Sequence, residues 1–124
     1  MRESSVTDLA EKNCAPCEGG VEPLPAAEVN LLSKQLHEGW KIAADAKSIK
    51  RSLKFKDFYR TMSFVNAVAY LANIEDHHPD LEVGYDHCDV TYSTHSIGGL
   101  SINDFICAAK LDRLQEFGNV TRHS

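Results

Sequence analysis

The 124-residue chain lacks any apolar run approaching the ~20 residues that cross a bilayer. Its first twelve residues are polar and acidic, without the apolar h-region of a secretory leader, so the expected location is the cytoplasm. A basic excess is also missing. Thirteen Lys and Arg stand against eighteen Asp and Glu, a net charge of -5. That excludes a general binder of phosphate backbones and gives no expectation of a nucleic-acid partner. Basic residues gather only at Lys47, Lys50, Arg51, Lys54 and Lys56, which read as the solvated face of a strand. There is no second CxxC beside Cys14-x-x-Cys17, and a structural zinc site wants four ligands. A redox CxxC should open a helix, whereas Glu18, Gly19 and Gly20 read as a turn. Cysteines of a cytosolic chain are expected to be reduced, and Cys88 and Cys107 sit in apolar patterns as core residues. No repeat or low-complexity segment interrupts the chain.

What is present is an ordinary globular balance, 43% hydrophobic and 25% charged, of a length that suits one domain. Residues 1–22 read as a polar lead-in, 23–118 as the domain and 119–124 as a fraying tail. Pro25 suits the first turn of a helix. Val29, Leu32 and Leu36 repeat at helical spacing, Leu31 widens the stripe, and Gly39 is the expected stop, with His37 at the helix end. A short strand follows over 40–44, then a turn at Asp45, Ala46 and Lys47. Residues 48–55 alternate, with Ile49, Leu53 and Phe55 on one side; Arg51 falls on that apolar side without explanation. The longest helix is expected over 56–74. Its two adjoining apolar stripes (Phe58, Met62, Val65, Ala69 and Ala72; Phe64, Val68 and Leu71) imply burial on more than one side, within the domain or against another subunit. Pro79 should end it. Strands are expected over 81–85 and 87–94. Ser101 reads as the N-cap of a last helix reaching about Phe117, with Asp104 in the capping-box position and Gly118 as its stop. Cys107, Leu111 and Leu114 form its inner stripe. The order α-β-β-α-β-β-α predicts an α+β domain, a four-stranded antiparallel sheet with three helices packed on one face.

Four of the six histidines lie within residues 74–104. Imidazole is the side chain whose charge changes near neutral pH. His77 and His78 precede the third strand and His95 ends the fourth, and in a hairpin those two ends are neighbours. Asp104 can reach the same rim. Three imidazoles and a carboxylate suit either a metal site or metal-free acid/base catalysis. A hydrogen-bonded surface cluster is the bland alternative. Adjacent side chains diverge, which makes His77-His78 poor ligand spacing and favours separate acid and base roles.

His77-His78-Pro79, Tyr85, His95 and Asp104 at these intervals resemble the signature of the pterin-4a-carbinolamine dehydratases. The run from Phe64 to Tyr70, the motif S-T-H-x-x-x-G-L-S from Ser93 to Ser101, and the lead-in from Cys14 to Leu24 extend the resemblance over nearly the whole chain. One departure is Asn73, where the family often carries an ionisable residue. The resemblance implies loss of water from 4a-hydroxytetrahydrobiopterin to give quinonoid dihydrobiopterin, in tetrahydrobiopterin recycling beside an aromatic amino acid hydroxylase. It implies His77 and His95 for proton transfer, His78 for binding or the other hydroxyl face, and Asp104 to orient His95 or accept from the pterin. Pro79, Tyr85, Ser93 and Thr94 would line the substrate. No metal or cofactor is expected, and dimers or tetramers are. Two other readings compete: a non-catalytic dimerisation or assembly factor of the same fold, and a metal enzyme using the same histidines with Cys14 and Cys17.

Overall fold

Strict alternation builds the centre of the sheet. In strand β2 (Ile49–Lys54) Ile49, Arg51 and Leu53 are buried, while Lys50, Ser52 and Lys54 face solvent. Strand β4 (His87–Tyr92) buries Cys88, Val90 and Tyr92 on the same dry face. The computed structural model describes residues 9–15 and 22–121. From residue 22 onward the order is α1 (Ala26–Ser33), β1 (Lys41–Ile42), β2, α2 (Phe58–Glu75), β3 (Asp80–Val83), β4, a single 3-10 turn (His95–Ile97) and α3 (Ile102–Thr121). The strands lie in the order β1-β2-β4-β3, each pair antiparallel. This is the α+β architecture expected from the sequence.

Several boundaries differ for local reasons. Helix α1 stops at Ser33, not Gly39. The Asn30 and Ser33 side chains donate back to the Ala26 and Asn30 carbonyls, a competition that weakens helices. Leu36 is still buried, but Leu31 is 63% exposed and His37 is not a helix terminus. Helix α2 begins after Asp57, whose carboxylate accepts from the Arg60 N–H. It ends at Asp76, in the left-handed region at φ 52°, where the Asp76 and His77 N–H groups both reach the Ala72 carbonyl. The stop therefore precedes Pro79. Helix α3 runs through Gly118 to Thr121.

The wide apolar arc of α2 is not covered within one chain. Its buried residues are Thr61, Phe64, Val68, Leu71 and Ala72, the second stripe plus Thr61 and Ala72. Phe58 and Ala69 of the first stripe are exposed, and so are Tyr59, Tyr70 and Ile74. The central helix is instead α3: Phe105, Ile106, Cys107, Ala108, Ala109 and Leu111 are all buried. Leu114, expected inside, is 41% exposed. The second cover over α3 comes from the lead-in. Leu9 and Ala10 are buried in the core, and the Lys110 ammonium donates to the Ala10 carbonyl at 2.8 Å.

Arg51 has its explanation in Asp112 of α3. The guanidinium and carboxylate meet at 2.6 Å with both side chains at or below 10% exposure. Asp112 also accepts from the Trp40 indole N–H and the His37 backbone N–H, each at 2.9 Å. The pair thus fastens sheet, helix and the α1–β1 connection at one point. Removing one partner leaves a buried charge unmatched, which typically costs about 3–5 kcal/mol. Asp112→Ala should lose stability of about that order in urea denaturation, and Arg51→Leu combined with Asp112→Leu should lose less than Asp112→Ala alone.

Candidate active site

Three chain turns bring the candidate residues together. The left-handed Asp76 ends α2 abruptly and turns His77 and His78 off the helix. The pairing of Asp80 with Thr91 lays the start of β3 beside the end of β4. Past β4, Thr94 bridges Gly99, and the 3-10 turn closes on Gly98 at φ 71°, a value that favours glycine. That turn presents His95 at the same rim.

Asp104 sits beneath them, with no exposure at all. Its Oδ2 accepts from the Ser101 backbone N–H at 2.9 Å, and the Asp104 N–H returns to the Ser101 carbonyl. This is the start of α3 that the sequence pattern anticipates. Oδ2 also accepts from the Thr94 hydroxyl at 2.8 Å. Since Thr94 has one proton to give, the Ser101 hydroxyl at 2.9 Å must donate to Thr94. Oδ1 lies 2.6 Å from His77 Nε2. A carboxylate accepts only, so Nε2 carries a proton and Nδ1 is the nitrogen left for a reactant. The His77 ring stacks at 6° on buried Tyr92, with centroids 6.0 Å apart. His77 is thus fixed at one nitrogen and over one face.

A hollow of about 610 Å³ opens here. His77, His78, His95, Ser93 and Thr94 line it, together with Cys14, Ala15, Glu75 and Asn103. His78 and His95 are exposed, while the His77 side chain is 12% exposed. The rings expected to share a rim do line a single hollow.

Other expectations are corrected. Asp104 contacts His77 rather than His95. Tyr85 lies at the opposite end of the β3–β4 hairpin, 66% exposed and stacked on Phe58. Pro79 is not among the residues lining the hollow, and neither is Asn73. Glu75, the last residue of α2, lines it as well. Its Oε1 accepts from the Cys14 N–H at 2.8 Å, and its Oε2 is 3.7 Å from the Lys110 ammonium. A partial signal for this contact existed: Cys14 was visible as a motif residue, but nothing local told where it would dock.

The Cys14 thiol rests 3.5 Å from Cys107 Sγ. That contact, followed by burial, pushes the Cys107 thiol up, and burial pushes Cys88 up to about 11. Cys17 lies outside the described residues. Among the described residues, no three His, Cys, Asp or Glu side chains are placed to share a metal ion.

Comparison with known proteins identifies the fold first. The crystal structure titled as a transcriptional coactivator/pterin dehydratase from Brucella melitensis superposes with a TM-score of 0.70 at 34% identity, over 75% of this chain and 98% of that one. A pterin dehydratase-like protein described as a RuBisCO assembly factor of the alpha-carboxysome shares the fold at 20% identity and a TM-score of 0.54. The family model for pterin 4 alpha carbinolamine dehydratase matches residues 22–114. A Nitrosomonas eutropha protein named "Putative pterin-4-alpha-carbinolamine dehydratase" is 56% identical over 111 residues, 90% of this chain and 96% of its own length. A Legionella pneumophila protein of the same name is 52% identical over 108 residues. The chain belongs to the pterin 4 alpha carbinolamine dehydratase family.

The hydrogen bonds around Asp104 make a stability test. Thr94→Val removes a neutral donor from a buried carboxylate and leaves shape nearly intact. A loss of about 1–3 kcal/mol is expected in chemical denaturation, larger than for a solvent-facing Thr91→Val control.

Proposed function

We propose that this chain is a hydro-lyase that removes water from 4a-hydroxytetrahydrobiopterin, giving quinonoid dihydrobiopterin, by histidine acid/base catalysis with no metal or cofactor. The observation that carries the proposal is the His77–Asp104 contact at the floor of a hollow that His78 and His95 also line. Family membership supplies the substrate class.

The chemistry asks for two proton transfers. The C4a–O bond breaks, the N5–H proton leaves and a C4a=N5 bond forms. Hydroxide is a poor leaving group, so an acid must protonate it as it departs. A base must take the N5 proton. No electrons are exchanged with a partner, and water is the sole by-product. His77 is suited to the base role, because Asp104 holds its Nε2–H and leaves Nδ1 with a lone pair. The same logic orients histidine in other carboxylate–histidine pairs. His95, exposed on its turn, is suited to the acid role, since it can be reprotonated from water. His78 diverges from His77 and would hold the pterin ring. Ser93, which lines the hollow, would bind its polar edge. Thr94 acts indirectly, through Asp104.

Tetrahydrobiopterin recycling in the cytoplasm, beside an aromatic amino acid hydroxylase, is the setting proposed. Self-association is proposed as well. The exposed row Tyr59, Tyr70 and Ile74 on α2 favours it, as does the edge position of β3.

The test is a dehydration assay on purified protein. Replacing a general acid or base typically costs about 10²–10⁴-fold, and His77→Ala and His95→Ala should each lose rate on that scale. Parent-like rates in both variants, or no acceleration by the parent, would sink the proposal. Asp104→Asn keeps the shape but can turn an amide N–H toward His77 Nε2, forcing the other tautomer. It should lower kcat by a factor of about 10² or more while KM changes little.

A further inference from the structure

The hollow has a wall that comes from outside the region matched by the family model. Cys14 and Ala15 line it, whereas the match begins at residue 22. Their placement is specific. The Asn103 amide meets both backbone groups of Ala15: Oδ1 accepts from the N–H at 3.1 Å, and Nδ2 donates to the carbonyl at 2.6 Å. The Asn103 carbonyl also receives the Cys14 thiol at 3.7 Å. Glu75 accepts from the Cys14 N–H at 2.8 Å. Two consecutive residues thus have three backbone groups tied by two side chains. Asn103 is 4% exposed although amidic, and its side chain spans to a residue 88 positions away.

The anchors are placed with respect to the reacting end of the hollow. Asn103 immediately precedes Asp104, and Glu75 stands two residues before His77. Any movement of Cys14 and Ala15 is therefore referred to the same two backbones that set the His77–Asp104 pair. The cost of fixing a backbone residue is comparable to what such bonds return. Without Asn103, the exposed Ala15 has no other tie among its described contacts. Leu9 and Ala10 are docked in the core, and Glu75 still holds the Cys14 N–H, so loss of the Asn103 amide loosens the wall at Ala15 without unfolding the domain.

We infer that Asn103 is a positioning residue for substrate binding: it docks Cys14 and Ala15 as one wall of the pterin site. The inference rests on the pterin reading of this hollow for the identity of the ligand, and not for the docking itself. Asn103 touches no reacting atom in this scheme. Its loss should weaken binding and leave the proton transfers in place.

Asn103→Ala, with Asn103→Gln as the amide-retaining control, tests this in the full chain. One or two lost hydrogen bonds correspond to a KM increase of about 3–20-fold, with kcat within about twofold. Asn103→Gln should recover part of the loss. A second readout uses iodoacetamide on Cys14, mapped by mass spectrometry in a Cys17→Ser background. Asn103→Ala should speed Cys14 alkylation by about tenfold, as expected of a locally opened segment. The unreactive probe 7,8-dihydrobiopterin should slow alkylation in the parent more than in the variant. An unchanged KM in an active parent, or alkylation at the parent rate in Asn103→Ala, overturns the inference. A parent that neither dehydrates the pterin nor is protected by the probe overturns the pterin reading instead. The docking is then judged on the alkylation rates alone.

Discussion

A single buried carboxylate ties together the end of this molecule that carries the candidate site. Asp104 has no solvent exposure, and three donors from three segments converge on it: His77 after α2, Thr94 after β4, and Ser101 before α3. A charge so placed is tolerable only when its lone pairs are met. Here the donors that meet them belong to the chain reversals that shape the hollow. Stabilising the charge and positioning the imidazole are the same set of bonds. The capping box is therefore more than a helix start. Its bonds to Oδ2 hold the carboxylate from one side while Oδ1 meets His77.

The fold was legible because its driving patterns are local. Alternation along residues 49–54 and 87–92, and turn chemistry at Asp45 and Gly98, do not depend on distant partners. The convergence of His77, His78 and His95 was legible for the same reason, since a hairpin register carries one strand's start to the next one's end. What escaped was set by tertiary partners. Arg51 broke the apolar pattern because its partner, Asp112, is 61 positions away. Tyr85 matched a motif but sits at the wrong end of its hairpin, where it stacks on Phe58. Glu75 closes α2, and what it meets there is the lead-in, at the Cys14 N–H. Asp104 was read as a cap that would orient His95 or accept from the pterin, and its other oxygen meets His77, a partner set by tertiary packing.

The lead-in illustrates how composition misleads about packing. A polar, acidic stretch with CxxC reads as an appendage. Residues 9–15 instead pack on α3, meeting Asn103, Cys107 and Lys110. Leu9 and Ala10 supply the apolar contact, Lys110 supplies a hydrogen bond, and Cys14 lies against Cys107.

Sharing a fold does not settle what a relative does. The carboxysomal relative at 20% identity has this architecture, so architecture alone cannot favour catalysis. The distinction lies in how α3 uses its two buried acids. Asp112 binds Arg51, Trp40 and the His37 backbone, and serves only to hold helix against sheet. Asp104, eight residues earlier and about 12 Å along the helix axis, spends one oxygen on the fold and the other on an imidazole that opens to a hollow. The bond that satisfies this buried oxygen also fixes the orientation of the His77 ring, which is what the proposed proton transfer asks of it.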